Sequence, residues 1–230
     1  MPMLNRMKLL AASAAIALLA PVSAHANLIA NGSFESPDIG NTWYMEYGTN
    51  ILQPNYGGPS IPNWTILAGT NVDIVSALGA PGNAPAADGK QYLDLVGTGD
   101  SGGISQTFDT TKNQTYTLSF DYGNNPWSTT TASALITVAL NGLSANVTHS
   151  TSTQSNIDWT LFTMTFLGNG SPMTLSFLNT VGGNSGGVLL DNIVVATPLP
   201  AALPLFAGGL AMIGLIGRKR RKSVASVAAA

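Results

Sequence analysis

Apolar side chains recur at every second position through much of this 230-residue chain. Ile104, Gln106 and Phe108 share one side of such a run, and Tyr116, Leu118 and Phe120 follow the same period. It returns at Ile136, Val138 and Leu140, at Phe162, Met164 and Phe166, and at Met173, Leu175 and Phe177. Thr and Ser fill most intervening positions, as expected of strands with one packed face and one wet face. Turn signals separate the runs: Asp88-Gly89, Asn141-Gly142, Asn169-Gly170 and Gly182-Gly183. Asn141-Gly142 fits a two-residue hairpin turn, since both positions accept positive φ. No helical stripe interrupts this region. The pattern therefore predicts an all-β domain over residues 27–196, a two-sheet jelly-roll sandwich. A chain of about 170 residues buries ~70% of its unfolded surface, enough for a core.

Asp38–Pro62 breaks the pattern. It is rich in Gly, Pro and Asn yet carries Trp43, Tyr44, Tyr47 and Tyr56. A long irregular loop with aromatics is either a ligand platform or a plug that packs its rings into one end of the sandwich.

The two ends follow different rules. Arg6 and Lys8 precede an apolar run, Leu9–Ala20, and Ala24-His25-Ala26 supplies a small-x-small cleavage pattern. This reads as a secretory signal helix within residues 1–26, cut by signal peptidase before Asn27. The run is too short for a bilayer of ~30 Å hydrocarbon at ~1.5 Å per residue. Leu199–Gly217, by contrast, is uncharged, and nineteen helical residues span about 28 Å. Arg218, Lys219, Arg220, Arg221 and Lys222 follow directly and hold that end in the cytoplasm. The expectation is a transmembrane helix over residues 199–217, with the domain before it facing outward.

Charge and composition narrow the function. All eleven acids lie between Glu35 and Asp191, against only Lys90 and Lys112, which leaves the middle at −9. Such a surface repels phosphate backbones, so nucleic acid is excluded as a partner. The absence of cysteine excludes disulfides, thiolate zinc sites and thiol nucleophiles. His25 and His149 form no cluster for a transition metal. His149, in a Ser/Thr-rich stretch, is expected at the surface.

Two resemblances extend this reading. Thr197-Pro198-Leu199-Pro200-Ala201, an apolar helix and an Arg-rich finish together resemble the PEP-CTERM class of sorting tails. The nearest form is the variant with the signature Val-Pro-Leu-Pro-Ala, from which Thr197 departs. The resemblance covers residues 197–230. It implies recognition by an exosortase-type membrane enzyme of Gram-negative bacteria, a cut near Pro198–Ala201, and delivery to the cell surface or extracellular matrix.

The second lies in the domain itself. Asn27-Leu28-Ile29-Ala30-Asn31-Gly32-Ser33-Phe34-Glu35 is similar to the opening of galactose-binding-like jelly rolls. Ile61-Pro62-Asn63-Trp64, Asp88-Gly89-Lys90-Gln91-Tyr92-Leu93-Asp94-Leu95 and Leu190-Asp191-Asn192-Ile193 continue the series in order. These motifs resemble bacterial extracellular choice-of-anchor domains and, more distantly, carbohydrate-binding modules. In the related modules the opening acid and the closing Asp share one structural calcium ion with backbone carbonyls. The resemblance thus implies Glu35 and Asp191 as calcium ligands. The alternative is a loop acid at Glu35 and an Asp191 that accepts backbone hydrogen bonds.

Candidate chemistry is sparse. Gly99-Asp100-Ser101-Gly102-Gly103 spells a serine-nucleophile loop, but a strand pattern follows where a hydrolase needs a helix, and His149 is the one base available after residue 27. Glu35, Glu46 and nine Asp residues offer no spacing that marks a glycosidase pair. Sugar recognition needs a flat aromatic beside amides and carboxylates. The stretch from Asp121 through Tyr122, Asn124 and Asn125 to Trp127 supplies both. The reading is an exported, surface-sorted β-sandwich, not an enzyme, that binds extracellular polysaccharide. Its rivals are a purely structural matrix protein and a carbohydrate-active hydrolase or lyase.

Overall fold

Period-two runs become strands only if one face reaches a core, and here two sheets supply that core to each other. The computed structural model describes residues 27–49, 54–99, 101–128, 131–138, 142–183 and 185–197. The signal segment with Ala24 and Ala26, the positions Pro198, Leu199, Pro200 and Ala201, the expected helix over 199–217 and the basic cluster 218–222 lie outside them. Among the described residues there is no helix, and hence none that could cross a membrane.

The strands are β1 (Tyr44–Gly48), β2 (Tyr56–Gly58), β3 (Thr65–Ile66), β4 (Asn71–Ser76), β5 (Gln91–Asp94) and β6 (Gly103–Phe108). They continue as β7 (Thr115–Asn124), β8 (Ala132–Val138), β9 (Leu143–His149), β10 (Thr160–Leu167), β11 (Met173–Val181) and β12 (Val188–Ala196). One sheet runs β10-β7-β12-β5-β4-β1-β2 and the other β3-β6-β11-β8-β9. The expected all-β, two-sheet architecture is what the chain forms.

The predicted alternation decides what faces inward. Leu118 and Phe120 of β7, Ile104 of β6 and Leu175 and Phe177 of β11 are fully buried in one core. Phe120 meets Phe177 across the sheets edge-on, with ring centroids 5.1 Å apart. Each such side chain contributes about 1.5–3 kcal/mol of burial free energy.

The opening motif closes the fold onto its own end. Asn27 bridges Ala196, and Leu28 N–H donates to Val195 O at 2.8 Å. Ile193 N–H donates to Gly32 O at 3.0 Å, and a Cβ at Gly32 would sit 2.1 Å from Ile193 O. No larger residue fits there without moving the backbone. Trp64 of the Ile-Pro-Asn-Trp motif donates its indole N–H to Asn31 O at 3.0 Å.

Two local expectations need correction. Asp38–Pro62 is not one irregular loop, because it contains β1 and β2 at one edge of the larger sheet. Val138 pairs with Leu143, and Asn141 of the expected hairpin turn lies outside the described residues. His149 is buried rather than on the surface, because both its ring nitrogens have partners, Asn124 Oδ1 at 2.8 Å and Asp158 O at 2.9 Å.

Candidate functional site

The larger sheet buries one face in the main core, so its other face must carry whatever alternates with the core residues. In β1, Met45 and Tyr47 pack inward; in β4, Val72 and Ile74; in β5, Leu93, with Leu95 just beyond. Tyr44 and Glu46, Asp73 and Val75, and Tyr92 and Asp94 therefore share the opposite face. Register then lines up three acids: Glu46 pairs with Asp73, and Asp73 with Asp94. Three carboxylates stand on one rung across adjacent strands. Like charges directly opposite each other destabilise a sheet, so this row opposes folding unless protons or a ligand relieve it.

The row forms the floor of a pocket of about 250 Å³. Trp43, Tyr44 and Trp127 make its aromatic wall, and Thr98 and Ser185 lie at its rim. Trp43 is 39% exposed and meets Trp127 edge-on at 6.2 Å. Trp127 is held in place by its indole N–H on Pro81 O at 3.2 Å.

Each carboxylate has a different set of partners. Asp94 Oδ1 accepts the N–H groups of Val96 and Gly187, both at 2.9 Å, and Oδ2 accepts the Asn125 amide at 2.6 Å. Glu46 Oε2 accepts the Thr98 hydroxyl at 2.7 Å. Glu46 Oε1 and Asp73 Oδ1 have no hydrogen-bond partner, although Glu46 is only 1% and Asp73 only 8% exposed. Burial, then Asp94 and Glu46, push Asp73 up to about 9. Burial pushes Asp94 up to about 7 against its hydrogen bonds from Val96, Asn125 and Gly187.

The sequence-predicted residues divide. Trp127 and Asn125 line the pocket, and Asn125 links its halves: its amide reaches Asp94, while its Oδ1 accepts Trp127 N–H at 2.7 Å and Ser128 N–H at 3.2 Å. Asn124 is buried and holds His149 instead. Tyr122 packs on the core side, with His149 edge-on at 5.8 Å. Asp121 accepts the Asn192 amide at 3.0 Å. Trp43 and Tyr44 of the lining come from the aromatic stretch that offered a ligand platform, whereas Glu46, Asp73 and Asp94 were not singled out as a group. Their signal in the sequence was alternation in three short strands, hidden because both faces of β4 and β5 are buried.

Glu35 and Asp191 grip one turn from two sides. Glu35 Oε1 accepts the N–H groups of Lys90 and Gln91 at 2.7 and 2.8 Å. Asp191 Oδ2 accepts those of Ala87 and Asp88 at 2.8 and 2.9 Å, and Oδ1 that of Asn192 at 2.7 Å. Burial pushes Asp191 up to about 8, against the N–H groups of Asp88, Asn192 and Ala87. Asp191 thus accepts backbone hydrogen bonds, as the alternative to a calcium site expected, and Glu35 does the same. A calcium ion there would need its other oxygens from carbonyls and water. Ser101 gains no base from His149, whose ring nitrogens are both engaged.

A family model described as a protein of unknown function, DUF642, matches residues 27–196. No curated protein is similar enough to count as a match. Among solved structures the chain is similar to TmCBM61 in complex with β-1,4-galactotriose, at 12% identity and a TM-score of 0.47, over 75% of this chain and 99% of that one. It is also similar to the CBM22-1 xylan-binding domain of Paenibacillus barcinonensis Xyn10C, at 20% identity and a TM-score of 0.41, over 60% and 88% of the two chains.

The raised carboxyls set a pH dependence. Asp73 and Asp94 keep protons in the fold that the unfolded chain sheds near pH 4, so the folded state binds more protons above that point. Stability is then greatest below about pH 4 for these groups and is lost as pH climbs toward about 9. The melting midpoint is expected to be lower at pH 9 than at pH 5, and Asp73→Asn, which resembles the protonated acid, to flatten that slope. Thermal melts across the window check this; a midpoint that rises with pH, or an unaltered slope in the variant, contradicts it.

Proposed function

The chain belongs to the DUF642 family, and we propose that its β-sandwich binds polysaccharide outside the cell through the pocket over β1, β4 and β5. One observation carries the reading: aromatic rings and hydrogen-bond acceptors face the same small cavity. A pyranose has an apolar C–H face that packs on Trp or Tyr rings and hydroxyls that donate to carboxylates and amides. Trp43, Tyr44 and Trp127 supply the first kind of contact; Glu46, Asp73 and Thr98 supply the second. Glu46 and Asp73 stand on strands rather than on loops, so binding orders little chain.

Trp43→Ala tests this with little risk to the fold, since the ring is part-exposed. Loss of a hot-spot aromatic weakens binding by about tenfold or more. Trp fluorescence titration against a panel of neutral and charged oligosaccharides is the measurement. Flat titrations across the whole panel would favour a purely structural matrix role.

The terminal motifs of the sequence support export and PEP-CTERM-type sorting as part of this proposal. Intact mass of the exported protein is expected to begin at Asn27 and end near Ala201. A retained tail would mean plain membrane anchoring.

The corner at Glu35 and Asp191 supports one structural calcium ion, which would join the first and last motifs across the 87–91 turn. A bound ion stabilises by mass action, so a chelator is expected to lower the melting midpoint. An unchanged midpoint removes calcium from the account.

A further inference from the structure

We propose that the pocket over β1, β4 and β5 is built for a sugar bearing a positive charge, an amino sugar with a free ammonium group. The inference rests on the glycan-binding reading and names the ligand class of that same site.

The charge balance comes first. Glu46, Asp73 and Asp94 face the cavity, and among the described residues no Lys or Arg lines it. Between residues 27 and 197 the chain has only Lys90 and Lys112. A uronate, sulfate or phosphate group would meet three acids with no counter-charge, and like charges brought together in a part-buried site repel strongly. Anionic glycans are the wrong ligand.

Hydrogen-bond accounting separates cationic from neutral ligands. Glu46 Oε1 and Asp73 Oδ1 are buried acceptors without donors. Leaving a buried polar group unsatisfied costs about 1–3 kcal/mol, and more when it is charged. A neutral hydroxyl satisfies one acceptor and leaves the repulsion within the row. An ammonium brings three donors and a full positive charge, so it answers both deficits. The aromatic wall of Trp43, Tyr44 and Trp127 favours a cation further, through the negative ring faces.

Spacing separates an amino sugar from a metal ion. Directly paired residues on neighbouring strands have Cβ atoms ~5 Å apart, so the row from Glu46 to Asp94 extends roughly 10 Å. Calcium gathers its oxygens at ~2.4 Å around one point. Among the described residues no three acids or histidines are placed to hold a metal ion. A linear floor of carboxylates beneath an aromatic wall matches a ring with substituents along its edge.

The experiment titrates the purified full-length protein with four hexasaccharides: glucosamine, N-acetylglucosamine, glucose and galacturonic acid oligomers. Each titration is run with chelator and again with added calcium. The glucosamine hexamer is expected to bind at least about tenfold tighter than its N-acetylated twin, with an affinity that falls as salt rises. Glu46→Gln, and separately Asp73→Asn, should shrink the gap between the glucosamine hexamer and its N-acetylated twin to within about twofold, whatever either does to overall affinity. Equal or tighter binding of the acetylated or glucose oligomers overturns the charge inference but leaves glycan binding standing. Silence from every oligomer sinks both. Binding that appears only with calcium overturns the inference in favour of a metal-mediated site.

Discussion

The register of β1, β4 and β5 is the constraint from which the rest of this molecule follows. Tyr47, Ile74 and Leu93 must face the core, because each is fully or almost fully buried there. With a side-chain period of two, that choice leaves no freedom for Glu46, Asp73 and Asp94. A slip of one residue in any of the three strands would drive a carboxylate into the hydrophobic interior, which costs far more than the repulsion along the row. The core thus enforces an arrangement that the sheet face alone would reject.

How the fold tolerates the row is visible in its partners. Asp94 spreads its charge over two backbone N–H groups and one amide. Asp73 has no such help, and burial beside Asp94 and Glu46 raises it to about 9 while the pocket is empty; a cation in the pocket would draw it back down. A second, smaller cluster, with Val75, Tyr92 and Leu189 at its centre and Tyr44, Trp127 and Trp159 against it, shields this face from water. Shielding raises the electrostatic stakes within the pocket in both directions: a mismatched ligand is rejected harder and a matched one is held more firmly.

The opposite corner shows the same economy with other residues. Asn27 to Glu35 and Leu190 to Ile193 meet through main-chain bonds that Gly32 makes possible by having no Cβ. Glu35 and Asp191 then clasp the 87–91 turn, which leads into β5. The first and last motifs of the domain thus hold the turn from which β5, with Asp94, sets out.

The long strands were legible because each alternates apolar with Ser or Thr: β6, β7, β10 and β11 can be drawn from Ile104, Phe120, Met164 and Phe177 alone. Composition likewise excluded thiol chemistry and a basic nucleic-acid surface. Of the residues that line the pocket, the sequence marked Asn125 and Trp127 in one stretch and Trp43 and Tyr44 in another. It misplaced Asn124, Tyr122 and His149, whose neighbours come from distant segments. It was silent on the union of Glu46, Asp73 and Asp94, separated by 27 and 21 positions along the chain. Alternation is a local property, written in adjacent residues, and so it is set by sequence. Cross-strand pairing joins residues that only the packed core brings side by side, and so the acidic row and its pocket were decided by the tertiary structure.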